Sequence, residues 1–88
     1  MLVNLDCGLK IEANKEDFND MRVLEYLSDD NPLEYAKVLN IVLGKEQKEK
    51  LYSYIAEHNN GRVPIEEFSK IFTELMTKLG EKDNDVKN

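Results

Sequence analysis

From Val3 to Ile11 the chain alternates with period two: Val3, Leu5, Cys7, Leu9 and Ile11 fall on one side, and Asn4, Asp6, Lys10 and Glu12 on the other. Alternation of this kind marks an extended segment with one buried face. A hairpin fits it better than one long strand, because Asp6-Cys7-Gly8 makes a three-residue loop in which Gly8 is free to take positive φ. Leu5 then faces Leu9 and Val3 faces Ile11. A two-residue Cys7-Gly8 turn would set Leu5 against Lys10 and spoil the apolar face, so register favours the longer loop. A hairpin alone is barely stable, so that face must rest on helices or on another subunit.

The period then changes to helical. Asn14 can cap a helix over about residues 15 to 28, with Glu16 and Asp17 in its first turn and Phe18, Met21, Leu24 and Leu27 at helical spacing. Ser28-Asp29-Asp30-Asn31-Pro32 breaks it. Asn31, Pro32 and Glu34 then supply a cap, a pre-set first residue and a capping-box acid for a second helix. That helix carries Leu33, Ala36, Leu39 and Leu43 on one stripe, and Tyr35, Val38, Ile41 and Val42 widen its apolar surface, which suits a central position. Gly44 ends it. A third helix follows to about His58, turned inward by Leu51, Tyr52, Tyr54 and Ile55. After Asn59-Asn60-Gly61, Pro64 opens a fourth with the stripe Ile65, Phe68, Phe72, Leu75 and Leu79, closed by Gly80. The predicted fold is α+β, mostly α: a short N-terminal β-hairpin followed by about four helices in a small bundle, one domain over residues 1–80, and a disordered polar tail at 81–88.

Composition narrows the function classes. The 88 residues are 41% hydrophobic, enough for one compact core, and 18 acidic against 12 basic side chains give a net charge of -6. Such a field repels nucleic-acid backbones and anionic membrane faces, so neither is an expected partner. No apolar run approaches a bilayer span and no secretory leader is visible, which together with the single Cys7 predicts a reducing, cytoplasmic setting.

Candidate chemistry is sparse. His58-Asn59-Asn60-Gly61 leading into Glu66-Glu67 superficially matches an EF-hand calcium loop: with Gly61 as its sixth position, Asn60 is the fifth, Val63 the apolar eighth and Glu67 the twelfth. Ala56 and His58 then occupy the first and third positions, so two oxygen ligands are missing. His58 is the only histidine and has no ligand set of its own for zinc. Cys7 lacks a neighbouring base, and Gly44-Lys45 lacks the loop of a phosphate site. Asp17, Asp20, Asp29 and Asp30 read as caps and turn residues. No catalytic residue, metal site or cofactor is expected. The tyrosines Tyr26, Tyr35, Tyr52 and Tyr54, several beside the apolar stripes, suit an interface or the flank of a core.

The order of motifs resembles the tail assembly chaperones encoded by long-tailed bacteriophages and prophages of Gram-positive bacteria. It is carried by Asn19-Asp20-Met21-Arg22-Val23-Leu24-Glu25-Tyr26-Leu27, by Asn31-Pro32-Leu33, by Leu43-Gly44-Lys45-Glu46-Gln47 and by Gly61-Arg62-Val63-Pro64, spanning most of residues 2 to 80. The resemblance implies a non-enzymatic protein of the host cytoplasm that binds the tape measure protein, keeps it soluble and helps recruit the tail tube protein. A chaperone of this kind needs apolar surface beyond its own core. Tyr35, Val38 and Val42, with Ile71 and Met76, are the expected surplus. The hairpin edge permits strand pairing between copies, hence a homo-oligomer. Two other readings stand beside it: a degenerate calcium-responsive module at residues 56 to 67, and an acidic adaptor that occupies a nucleic-acid-binding surface on another protein.

Overall fold

The computed structural model describes residues 1–80 in full and the backbone of 81–87. Strands β1 (Leu2–Asn4) and β2 (Lys10–Glu12) pair antiparallel with Val3 opposite Ile11, the register that the apolar pattern requires. Gly8 lies at φ 100°, its N–H donating to the Leu5 carbonyl at 2.9 Å while Leu5 N–H reaches the Leu9 carbonyl at 2.9 Å. Val3, Leu5, Ile11 and Ala13 are buried. The tip is pinned from outside: the Tyr54 hydroxyl donates to the Cys7 carbonyl at 3.2 Å, and Asp6 N–H donates to Glu74 Oε2 at 2.6 Å.

The predicted first helix is two helices, α1 (Lys15–Phe18) and α2 (Met21–Ser28). Asp20 divides them. Its backbone is extended at ψ 135°, and its carboxylate accepts from Arg22 N–H at 2.8 Å and from the Arg22 guanidinium at 3.1 and 2.7 Å. A short polar side chain that bonds its own following backbone competes with helix continuation. The break resets the helical phase, so Val23 is buried while Met21 and Leu24 turn outward.

Asp20 also gives a pH prediction. The Arg22 side chain, then its backbone N–H, hold the Asp20 carboxyl down from 3.8 to about 2. Its contribution to stability is therefore complete above 3.8 and disappears as pH falls toward about 2. An NMR titration should place the Asp20 midpoint near 2, and Arg22→Ala should move it part of the way back toward 3.8. A wild-type midpoint already at the ordinary carboxylate value would refute the pairing.

Helix α3 (Pro32–Val42) starts as expected, with the Asn31 side chain accepting from Leu33 N–H at 2.9 Å and Pro32 in the first turn. Asn31→Ala should lower stability by about 1 kcal/mol, whereas Asn31→Asp, which keeps the acceptor, should be near neutral. Urea unfolding of the three proteins checks the order. Gly44, at φ 80°, turns the chain directly into α4 (Gly44–Glu57). At the far end of α4, Gly61 N–H returns to the Ala56 carbonyl at 2.8 Å with Asn60 at φ 57°, a left-handed helix stop.

Helix α3 contacts α1, α2, α4 and α5 (Ile65–Lys87). Its core residues are Val38, Leu39 and Val42, joined by Leu51 and Ile55 of α4 and by Phe68, Phe72, Leu75 and Leu79 of α5. Tyr35 stacks on Phe72 with centroids 4.3 Å apart, Phe72 lies 6.2 Å from Phe68, and Tyr52 meets Phe68 edge-on at 5.7 Å. This ladder ties three helices together. Gly80 does not stop α5, which runs on as helix; the expected tail at 81–88 lies outside the fully described residues.

Candidate protein-binding surface

Two turns build the main feature. Asp30, at φ 47°, and the Asn31 cap swing the chain so that the first turn of α3 projects Pro32 and Leu33. After the Asn60-Gly61 stop, Val63 and Pro64 run to the first turn of α5, where the Pro64 carbonyl accepts from Phe68 N–H at 2.9 Å and Ile65 points outward. Between these two helix starts lies an open groove of ≈ 400 Å³. Leu33 and Ile65 are its most exposed apolar members, at 73% and 68%, while Tyr52 and Phe68 are mostly covered. Ala36, Pro32 and Val63 complete the apolar lining. Burial raises the Tyr52 phenol above its usual value, as an apolar setting should.

A second apolar hollow of ≈ 310 Å³ lies along α1 and α2, lined by Phe18, Val23, Leu27 and the outward-turned Met21 and Leu24, which are 64% and 61% exposed. A third depression, beside the hairpin, mixes Glu12, Asn14, Lys15, Glu16 and Gln47 with Ala13 and Leu43 and has no comparable apolar character.

The residues expected to supply surplus surface are placed differently. Val38 and Val42 are 0% and 1% exposed, sealed by the helices around α3, so neither is available on the protomer. Tyr35 is half-buried against Phe72, and its hydroxyl donates to Asp30, which raises the phenol's pKa. Ile71 and Met76 are half-buried against the core. None of the five lines either apolar hollow. Among the described residues the exposed large apolar ones are Leu2 on β1 and, on the helices, Leu33 and Ile65 together with Met21 and Leu24, which the helical period alone assigned to inward stripes. The signal that could have found Leu33 and Ile65 is position along the axis: each sits in a first turn, next to a chain reversal, beyond the edge of the layer it would pack on.

The chemical candidates also find their places. Cys7 is exposed at the hairpin tip. In the loop at residues 56 to 67, the Ala56 carbonyl accepts from Asn59 and Gly61 N–H at 3.1 and 2.8 Å, Asn59 Nδ2 donates to the Ile55 carbonyl at 2.7 Å, and His58 Nδ1 lies 2.9 Å from the Tyr54 carbonyl. Glu67 reaches Lys70 at 3.9 Å rather than the loop. Among the described residues no three His, Cys, Asp or Glu side chains converge as a cation site requires, and no helix is long and apolar enough to cross a membrane.

No protein-family model, curated protein or solved structure matches the chain.

Proposed function

We propose that this chain is a non-enzymatic tail assembly chaperone of a long-tailed phage or prophage, working in the bacterial cytoplasm by covering apolar segments of the tape measure protein until the tail tube protein assembles around them. The observation that supports binding is the set of four large apolar side chains left more than three-fifths exposed: Met21, Leu24, Leu33 and Ile65. Covering each completely on a client would contribute up to about 1.5–3 kcal/mol. The net charge of -6 over the remaining surface keeps a loaded complex dispersed. The order of the motifs around Asn19 to Leu27, Asn31 to Leu33, Leu43 to Gln47 and Gly61 to Pro64 resembles that of tail chaperones and supports this reading among small helical binders.

Co-expression tests the reading. The tape measure protein from the same locus should move from the pellet to the soluble fraction when this chain is present and co-purify with it. An unchanged pellet, with the chaperone itself soluble, would count decisively against the proposal.

A further inference from the structure

We propose that Asn60-Gly61 is a latent modification site, whose cyclisation to a succinimide and onward hydrolysis to aspartate and isoaspartate is held off by the helix stop at the end of α4 and released when that stop opens locally. The site is independent of the chaperone reading.

The reacting pair is set by the sequence. Of the asparagines in the chain, Asn60 alone precedes a glycine. With no side chain on the residue that follows, the amide nitrogen approaches the asparagine Cγ unobstructed, and the backbone around it turns freely. Asn31, by contrast, precedes Pro32, which has no N–H to lose. The reaction needs only water. The Gly61 amide nitrogen gives up its proton and attacks Cγ of Asn60; the new N–C bond forms as the bond from Cγ to the side-chain nitrogen breaks, and ammonia leaves with the proton. Water then opens the cyclic imide at either carbonyl. Nothing is oxidised or reduced, and the product gains a carboxylate in a protein already at net charge -6.

The restraint is set by the fold. Asn60 and Gly61 stand exposed in consecutive left-handed conformations at φ 57° and 85°. The proton that must be lost is engaged: Gly61 N–H donates to the Ala56 carbonyl at 2.8 Å. A carbonyl oxygen accepts that hydrogen bond without removing the proton, and it fixes the direction in which the nitrogen points. The flanking groups are held too, since Arg62 N–H donates to the Asn59 carbonyl at 3.1 Å and Asn59 Nδ2 donates to the Ile55 carbonyl at 2.7 Å. While these bonds last, the nitrogen does not swing onto Cγ. Asn60, Gly61 and Arg62 are all exposed, so the stop opens without disturbing the core.

The modification has a structural consequence. Isoaspartate adds a methylene to the backbone where the left-handed turn closes α4, so the stop does not re-form as before. Val63 and Ile65, on the connection that follows, line the groove of ≈ 400 Å³, and the change falls on that wall.

The test incubates the full chain at mildly alkaline pH in buffer, in guanidinium chloride below the unfolding transition, and above it. Peptide mass spectrometry with an isoaspartate assay reads the extent at each asparagine. Asn60 should react first in every condition, and in the folded chain at least about tenfold more slowly than in the unfolded one, as an opening free energy of about 1.4 kcal/mol already gives. Below the transition the rate should hardly change with denaturant, because a local opening exposes little surface. Asn59→Ala removes the Nδ2 bond and leaves the reacting pair intact. It should speed the folded reaction at least about twofold, as loss of one hydrogen bond allows, and leave the unfolded rate unchanged, with circular dichroism checking that the variant is folded. Equal rates in folded and unfolded chain overturn the proposal. So does a folded rate that climbs steeply with denaturant below the transition, indifference to Asn59→Ala, another asparagine reacting first, or no product at Asn60 even when unfolded.

Discussion

Replacing Phe72 by alanine should cost about 3–5 kcal/mol of stability and lower the thermal midpoint by roughly 4–8 °C for each kcal/mol in a domain of this size. Phe72 is 3% exposed and lies between Tyr35, stacked at 4.3 Å with an interplanar angle of 9°, and Phe68 at 6.2 Å. Its removal opens a cavity and also takes the support from Tyr35, whose ring is aligned from the other end by the hydroxyl bond to Asp30. The loss is large against the roughly 5–15 kcal/mol that holds an ordinary domain together. Phe72→Leu, which keeps most of the volume, should cost less than half as much. Urea titration followed by circular dichroism measures both, and a Phe72→Ala cost under about 1 kcal/mol would show that the aromatic ladder is not the tie described here.

Leu39→Ala should cost about 2–5 kcal/mol, and Leu33→Ala, on the same helix, less than about 0.5 kcal/mol. Both are leucines that the helical period places on one stripe. Leu39 is 0% exposed in the middle of α3, the helix that all others touch, whereas Leu33 is 73% exposed in its first turn. Thermal melts of the two variants provide the comparison. Comparable costs would mean that the first turn of α3 is covered in the folded protein and that the groove is not open.

The contrast between these two leucines also shows which information the sequence carries. Local chemistry was legible wherever one residue type has one conformational use. Gly8 and the alternation of Val3, Leu5, Leu9 and Ile11 specify a hairpin and its register, and Asn14, Asn31 and Pro32 announce two helix starts. The first helix misled because Asp20 serves equally as an interior acid or as a cap, and only its bonds to Arg22 decide for the cap. Once the chain breaks there, the inward residue becomes Val23 in place of Met21 and Leu24. Val38 and Val42 counted as surplus because they lie beside the main stripe, although the same breadth already suited α3 to a central position. The four helices packed around α3 take up that whole face, and how much of it they cover is a tertiary fact. The candidate surface was the least legible part, since helical phase says which way a side chain points and nothing about whether another layer reaches that far. Gly80 misled for a similar reason: glycine favours a helix end without compelling one.

The latch at the hairpin tip bears on how the protein is made. Asp6 donates its amide to Glu74, 68 positions later, and Lys78 closes the same corner at 3.4 and 3.5 Å. A ribosome adding roughly 5–20 residues per second takes about 3–14 s to pass from one partner to the other. For that interval Val3, Leu5 and Ile11 have been synthesised without the final helix that completes their burial. The nascent chain is therefore briefly a sticky polypeptide, and slower elongation lengthens the time for which its first strands lie uncovered.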